Sequence, residues 1–412
     1  MNQNVRIRPA LAAGAAVAVA LLTGCPPRDF LAATSSDVFV KPLPGLTQKQ
    51  LEQFNRGRAL FDKTFTPAEG LGPLFNNTSC KMCHGFPDSG GGSKELLILI
   101  AGVQGDAPVT LKEQGGPVIS DRALHGIPQE QFPVGTTAIS KRISPITYGT
   151  GLIEAIATAD ILANLGQSAR RQELGIVGKA NYDGPELGRL GWKNQTGNMR
   201  NFTVTAANFE MGLTSKERPY EFFPNVLPQA IAAPPLYASA SYPFVKAFFD
   251  SRGAASASLD LTPAQVDDMT FFQRFQAPPP PLPLTVQAAM GKEAFTRIGC
   301  AECHVPSFKT AKNAIGIPEG VTANLYSDLL LHDMGPLMDD GIKWQGAAKG
   351  TEWRTTPLWG LRFRKVFLHD GRTDSLDDAI RNHGGEGAKV TAAYNALDAA
   401  SRDAIKAFLM SI

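Results

Sequence analysis

"CKMCH" occupies residues 80–84, and a second string of the same form, "CAECH", occupies 300–304. The chain of 412 residues contains five cysteines, four of which fall in these two strings. In a C-x-x-C-H string the two thiols can add to the two vinyl groups of one haem, while the adjoining histidine turns back to bind the iron. Other chemistries also use a Cys-x-x-Cys pair. It can be a redox dithiol or half of a zinc site, and four cysteines with two histidines could close a structural zinc centre. Neither explains a histidine directly after the second cysteine on both occasions. The strings therefore imply two covalently bound haem c groups. One is carried by Cys80, Cys83 and His84, the other by Cys300, Cys303 and His304.

Working outward, an internal echo organises the chain. "GRALF" (57–61) leads to Cys80 and "GKEAF" (291–295) leads to Cys300, each reading as an amphipathic helix against the following haem loop. The first copy carries an insertion, "DKTFTPAEGLGPLFNNTS" (62–79), before its cysteine. Between the copies lies "APPPPLP" (277–283), a stiff, extended run. The expected fold is mostly α. Two cytochrome c-like haem domains, 46–276 and 284–412, are joined by the Pro-rich linker 277–283, with few short strands. "TQKQLEQFNRGRALFDK" (47–63), "TPAQVDDMTFFQRFQ" (262–276) and "AAYNALDAASRDAIKAFLMSI" (392–412) read as helices, and "KELLILIAGV" (94–103) as a strand. A hydrophobic fraction of 43% supports compact cores, and 30 prolines with 40 glycines imply many loops. The formal charge of +2 and the lack of a basic run argue against nucleic acid as a partner.

The fifth cysteine belongs to the N-terminus. Arg6 and Arg8 precede an apolar run over 11–22 that is too short to span a membrane, and "LLTGC" (21–25) resembles a bacterial lipobox. Residues 1–24 thus read as a lipoprotein-type signal peptide, Cys25 as the lipidated first residue of the mature chain, and 25–45 as a spacer. The alternative is an ordinary secretory signal cleaved nearby. Either reading exports the chain to the periplasm, where haem c is attached; a lipid on Cys25 would tether it to a membrane surface.

His84 and His304 each fix one face of a haem, and the opposite face decides the chemistry. A second strong ligand makes an electron carrier, whereas an open position admits peroxide or oxygen. In "DSLDDAIRNHGGEG" (374–387), Leu376, Ile380 and His383 share one helix face behind the capping Ser375. From spacing alone, a histidine stabilised at a helix C-terminus is the simpler reading of His383, and iron ligation the sharper one. His332 lies near Met334 and Met338, which as core fillers need no iron. His369 in "FLHDG" reads as a turn histidine and His125 in "ALHGIP" as a loop histidine.

The strings "TPLWGLRFRKVFLHDGRTDSLDDAIRNHGGEG" (356–387), "GLGPLFNNTSCKMCH" (70–84), "GTGLIEAI" (149–156), "GWKNQTGNMRNFTVTAANFEMGLTS" (191–215) and "LLLHDMG" (329–335), with both haem motifs, closely resemble the di-haem oxidoreductase family. That family lies within the superfamily of bacterial di-haem cytochrome c peroxidases and MauG-type enzymes. The resemblance implies that Trp192 lies between the haems and assists electron passage. It implies that Glu210, in "FEMG", sits over the peroxide-binding haem, and that the second haem takes its far ligand from the helix after the H-D-G turn. Methionine or tyrosine is familiar there; this chain has His383. Bland readings are a core tryptophan for Trp192 and a surface carboxylate at a helix start for Glu210. The chain departs from the pattern in lacking the usual glutamine between tryptophan and glutamate, where it reads "NMRNFTV" (198–204), and in having no clear match for the movable histidine. The superfamily often holds calcium between domains, although no carboxylate loop here has the spacing of a recognisable calcium site.

The implied function is an exported oxidoreductase that reduces hydrogen peroxide to water, fed by a small cytochrome or copper protein. The alternatives are MauG-like oxidation of a protein side chain and a non-enzymatic electron carrier. Thiol oxidation, a label sometimes attached to the family, finds no cysteine outside the haem motifs and Cys25 to support it.

Overall fold

Polar residues that start helices set much of the frame. Helix α1 (Gln48–Asp62), α2 (Met199–Met211), α3 (Pro263–Phe275) and α4 (Val286–Ile298) begin after Thr47, Asn198, Thr262 and Thr285. The side chain of each accepts a backbone N–H three residues on. In α1 and α3 the third residue, Gln50 or Gln265, reaches back to close a capping box. The computed structural model describes residues 39–93, 96–104, 107–109, 117–125, 127, 129–166, 168–219 and 259–412. The expected signal peptide, Cys25 and the expected spacer up to residue 38 lie outside them.

The echo seen in the sequence has a packing cause. A Cβ on Gly57 would stand 2.0 Å from the carbonyl oxygen of Asp268, and one on Gly291 would stand 1.8 Å from that of Ala404. In both copies the glycine lets α1 or α4 press its backbone against a partner helix, which is α3 for α1. Four residues on, Phe61 and Phe295 are buried. The two motifs rest on separate apolar clusters. Cys80 packs against a cluster that includes Phe54, Phe61, Met199 and Phe272, and Cys300 against one that includes Phe295, Tyr326, Ile405 and Phe408.

Helices make up 36% and strands 15% of the described residues, so the mostly α expectation holds. The strand read at 94–103 appears as β1 (Leu96–Gln104), paired antiparallel with β2 (Thr136–Ile143) from Leu96 opposite Ile143 to Gly102 opposite Thr136. Ala107–Val109 and Val118–Ile119 complete this four-stranded sheet, a larger β element than the sequence suggested. A two-stranded ribbon, β3 (Leu331–Asp333) with β4 (Glu352–Arg354), lies further along.

Two helix readings need correction. Helix α5 (Leu376–Arg381) stops two residues short of His383, because Asn382 leaves helical geometry before Gly384 and Gly385. The terminal helix is two helices, Ala388–Ala396 and α6 (Ala399–Leu409). The Asp398 carboxylate accepts the Ser401 N–H at 2.7 Å and starts a new helix where one continuous helix was expected.

Residues 277–283 form neither helix nor strand, as a proline run should. The run is pinned at both ends, with Ala277 N–H donating to the Lys41 carbonyl and Leu282 N–H to that of Ser411. Contacts also cross between the parts on either side of it. The Arg142 guanidinium pairs with Asp340, and the Asn181 amide donates to the Gln345 carbonyl. The described residues form one compact unit.

Candidate active site

The first motif opens as a single turn, Cys80–Cys83, capped by the Ser79 hydroxyl, and the backbone N–H of His84 closes it on the Cys80 carbonyl at 2.9 Å. The second motif repeats that bond, His304 to Cys300, at 2.9 Å. The imidazoles are held alike too. His84 Nδ1–H donates to the Pro145 carbonyl at 2.8 Å, and His304 Nδ1–H donates to the Tyr326 carbonyl at 2.9 Å. Each bond fixes the tautomer and leaves Nε2 free as a ligand atom. Phe61 lies 6.2 Å and 53° from the His84 ring, and Phe295 lies 6.2 Å and 51° from that of His304. Two distant stretches of sequence thus build one geometry twice.

Burial pushes both histidines down to about 4, so the rings are neutral and able to bind a metal at neutral pH. It pushes the Cys80 and Cys300 thiols up to about 12, against the lowered value that a reactive dithiol needs. Among the described residues, the side chains close enough to share an ion are Cys303, Asp328 and His332, so the four motif cysteines and two histidines do not gather into a zinc centre. That group includes no cluster of carboxylates of the kind calcium would use.

The opposite faces differ. Across from His304 stands His383, with ring centres 6.4 Å apart and planes inclined by 55°. Two imidazoles sharing one metal ion, each with its nitrogen about 2 Å from it, have ring centres about 6 Å apart. His383 Nδ1–H donates to the Ala379 carbonyl at 2.8 Å, again leaving Nε2 for the metal, and burial holds its pKa below the ordinary value. Leu376, Ile380 and His383 line one cavity of ≈ 670 Å³ with Cys300, Cys303 and His304, so the shared face expected of them is real although the helix ends early. That volume lies in the range of about 300–1,000 Å³ usual for cofactor pockets.

His332 is not free to ligate. Its Nε2 faces Asp328 at 3.0 Å and its Nδ1 faces Glu386 at 2.7 Å. Burial presses its pKa down, but the charges and hydrogen bonds of Asp328 and Cys303 together outweigh this and raise it well above the ordinary value. Burial likewise opposes ionisation of Asp328, yet His332 and Arg171 hold its carboxyl at about 2. The result is a buried, charged clasp beside Cys303. Met334 and Met338 line the large cavity, and His125 is exposed in a turn. His369, read as a turn histidine, is buried and stacked on Trp353 with ring centres 3.7 Å apart.

Near the first motif, Glu210 sits in the last turn of α2 rather than at a helix start. Its carboxylate accepts the Asn76 amide at 2.6 Å, and the neighbouring Asn77 amide donates to Cys83 Sγ at 3.3 Å. This pair of asparagines ties the carboxylate to the motif. Burial pushes Glu210 up to about 7 against the opposing pull of the Asn76 amide, and nearby Asp121 adds to the rise. Asn76 was quoted in the sequence strings without a role, because an amide shows its purpose only beside its acceptor.

Trp192 donates its indole N–H to the Ile143 carbonyl at 2.8 Å, two residues before the carbonyl that holds His84. The same indole lines the cavity shared by His304 and His383. It therefore stands between the strap of the first motif and the pocket of the second. Trp353 lies 6.4 Å from Trp192, edge to face, with the buried Lys193 ammonium 3.5 Å over its ring.

A family model described as "Di-haem oxidoreductase, putative peroxidase" matches residues 135–412. The chain belongs to the di-haem oxidoreductase family. Members are di-haem enzymes, so two haems and oxidoreductase activity come with the assignment. A MauG-like protein associated with microbial copper homeostasis is 14% identical, with 90% of this chain and 93% of that one covered and a TM-score of 0.39. The diheme peroxidase BthA from Burkholderia thailandensis is 17% identical over 90% of this chain and 86% of its own, with a TM-score of 0.39. No curated protein matches the chain.

Proposed function

We propose that this family member is a periplasmic, lipid-anchored peroxidase that reduces hydrogen peroxide to water with electrons from a small redox protein. In this reading Cys80 and Cys83 bind one haem c covalently in the half 46–276. Cys300 and Cys303 bind the other in the half 284–412, with 277–283 as the linker. The haems supply the redox chemistry by storing and passing the two electrons that peroxide reduction needs.

The residues divide the work by asymmetry. His304 and His383 close both faces of the second site, which suits electron entry and relay. At the first site His84 holds one face, and Glu210 serves the peroxide. Its carboxylate would take the proton from one peroxide oxygen and return it to the other, so that one water leaves as the O–O bond breaks; the two electrons and two protons from solvent would turn the remaining oxygen into the second water. A carboxyl raised to about 7 is matched to that exchange near neutral pH. Asn76 aims the carboxylate, and Trp192 carries electrons between the sites. The single observation behind this reading is the contrast between an imidazole pair 6.4 Å apart at one motif and a half-buried, amide-held carboxylate at the other.

The test is EPR of the ferric protein before and after hydrogen peroxide. One high-spin signal that disappears with peroxide, beside a low-spin partner, is the expected result. Two low-spin signals indifferent to peroxide would make the protein an electron carrier. A peroxide-reactive haem that oxidises a protein side chain and accepts no electrons from cytochromes or copper proteins would place it with the MauG-type enzymes.

A further inference from the structure

Among the described residues eleven buried side-chain polar atoms have no partner, and five of them lie in two short stretches, 144–147 and 354–364. Arg354 Nε, Trp359 Nε1 and Arg364 Nε are buried donors without an acceptor, all within 354–364. The Ser144 and Thr147 hydroxyls, flanking the Pro145 that holds His84, are unpaired as well. Arg354 and Trp359 are only 6% and 4% exposed.

Other atoms of these side chains have partners, which fixes their aim. Arg354 donates through NH1 to the Arg189 carbonyl at 2.9 Å, and Arg364 through NH2 to the Pro357 carbonyl at 2.6 Å. Among the described residues neither guanidinium has a carboxylate at ion-pair distance. Burial lowers both, and the charge of Arg364 adds to the fall of Arg354, so the two cations feel each other. The Tyr148 hydroxyl lies beside Arg364 and donates to the Trp359 carbonyl at 3.3 Å.

Position gives the ligand its class. Arg354 and Arg364 line the large cavity, while Arg354, Trp359 and Thr147 line a smaller one against Met199 and Phe202 of α2. Two neighbouring buried cations without an anion are unfavourable, and guanidinium forks match carboxylates. In a di-haem protein the carboxylates that arrive with the cofactors are the haem propionates.

We propose that Arg354, Arg364 and the Trp359 N–H form a carboxylate subsite that receives haem propionates where the two cavities meet. This rests on the presence of two haems and not on the peroxide reading. The cations would favour the ferrous state of the haem they serve and keep its propionates ionised. Serving both cavities, Arg354 would couple the charge of one haem site to the other.

The test uses the full holoprotein and its R354Q, R364Q, R354K and W359F variants. The readouts are haem content, the midpoint potentials of both haems at pH 6 to 8, and the propionate-bending bands in resonance Raman spectra. Both glutamine variants should retain two haems and show at least one potential shifted downward, with a steeper pH dependence as a propionate without its cation titrates nearer neutrality. R354K, which keeps the charge, should fall between wild type and R354Q. W359F, which removes one N–H, should still move a propionate band if R354Q does not fold. Unchanged potentials, pH slopes and bands across the foldable variants would overturn the proposal. So would a saturable shift of the wild-type potential on adding formate, which would mean a free anion fills the site. Absence of peroxide turnover in the wild-type holoprotein, with the variant potentials shifted as expected, would count against the enzymatic reading and leave the subsite standing.

Discussion

At the residue scale, one carboxylate carries the catalytic reading. Glu210 is ionised above about 7 and can take a proton there; below that value it is already protonated. Peroxide consumption should therefore rise as pH climbs through about 7. In Glu210→Gln that limb should vanish and the rate fall about 10²–10⁴-fold, with both haems retained, as stopped-flow absorbance would read. His383 gives the second prediction at this scale. His383→Ala should open the second site and replace a low-spin EPR signal with a high-spin one. His383→Met should stay low-spin and raise the potential of that haem, since a thioether favours the ferrous state. A second haem unaltered by either change would remove His383 from the iron. The motif residues were legible in the sequence because their chemistry depends on spacing along one short turn. Asn76, Arg354 and the stack of His369 on Trp353 were not, because each acts through a partner far away in sequence.

At the element scale, the paired use of glycine and phenylalanine explains why two unlike stretches build like sites. Gly57 and Gly291 bring their helices onto a neighbour, and the phenylalanine four residues later faces the motif histidine. Gly291→Ala would drive a Cβ into the Ala404 carbonyl oxygen, a backbone atom that cannot swing away. The expected cost is about 1–3 kcal/mol, visible as a lower melting temperature. Because α4 leads directly into the second motif, the second haem's EPR signal should broaden while the first haem's is unchanged. The helices at 47–63 and 262–276 were readable from their apolar spacing, and the second also from the capping Thr262, because these signals are local. Where α5 stops and where the terminal helix divides depended on residues whose capping competes with continued helix, so the sequence left those boundaries open.

At the scale of the whole molecule, the N-terminal reading has its own test. Cys25→Ala should move the protein from the membrane fraction to the soluble periplasmic fraction, with two haems and its EPR spectrum retained. Membrane attachment that survives this change would exclude a lipid on Cys25. By itself the sequence determined the two motifs, their histidines, the mostly α class and the helices at 47–63 and 262–276, because each depends on residues within a few positions of one another. Only the tertiary structure decided which groups face the motifs. It brought His383 opposite His304, set Trp192 against the strap of His84, locked His332 between two carboxylates, and gathered unpaired arginines at the meeting of two cavities. Apart from Asp328, four residues before His332, these groups meet partners tens of residues or more away in the chain. They are fixed by packing and by the cost of leaving a buried polar group unpaired, neither of which is written in local spacing.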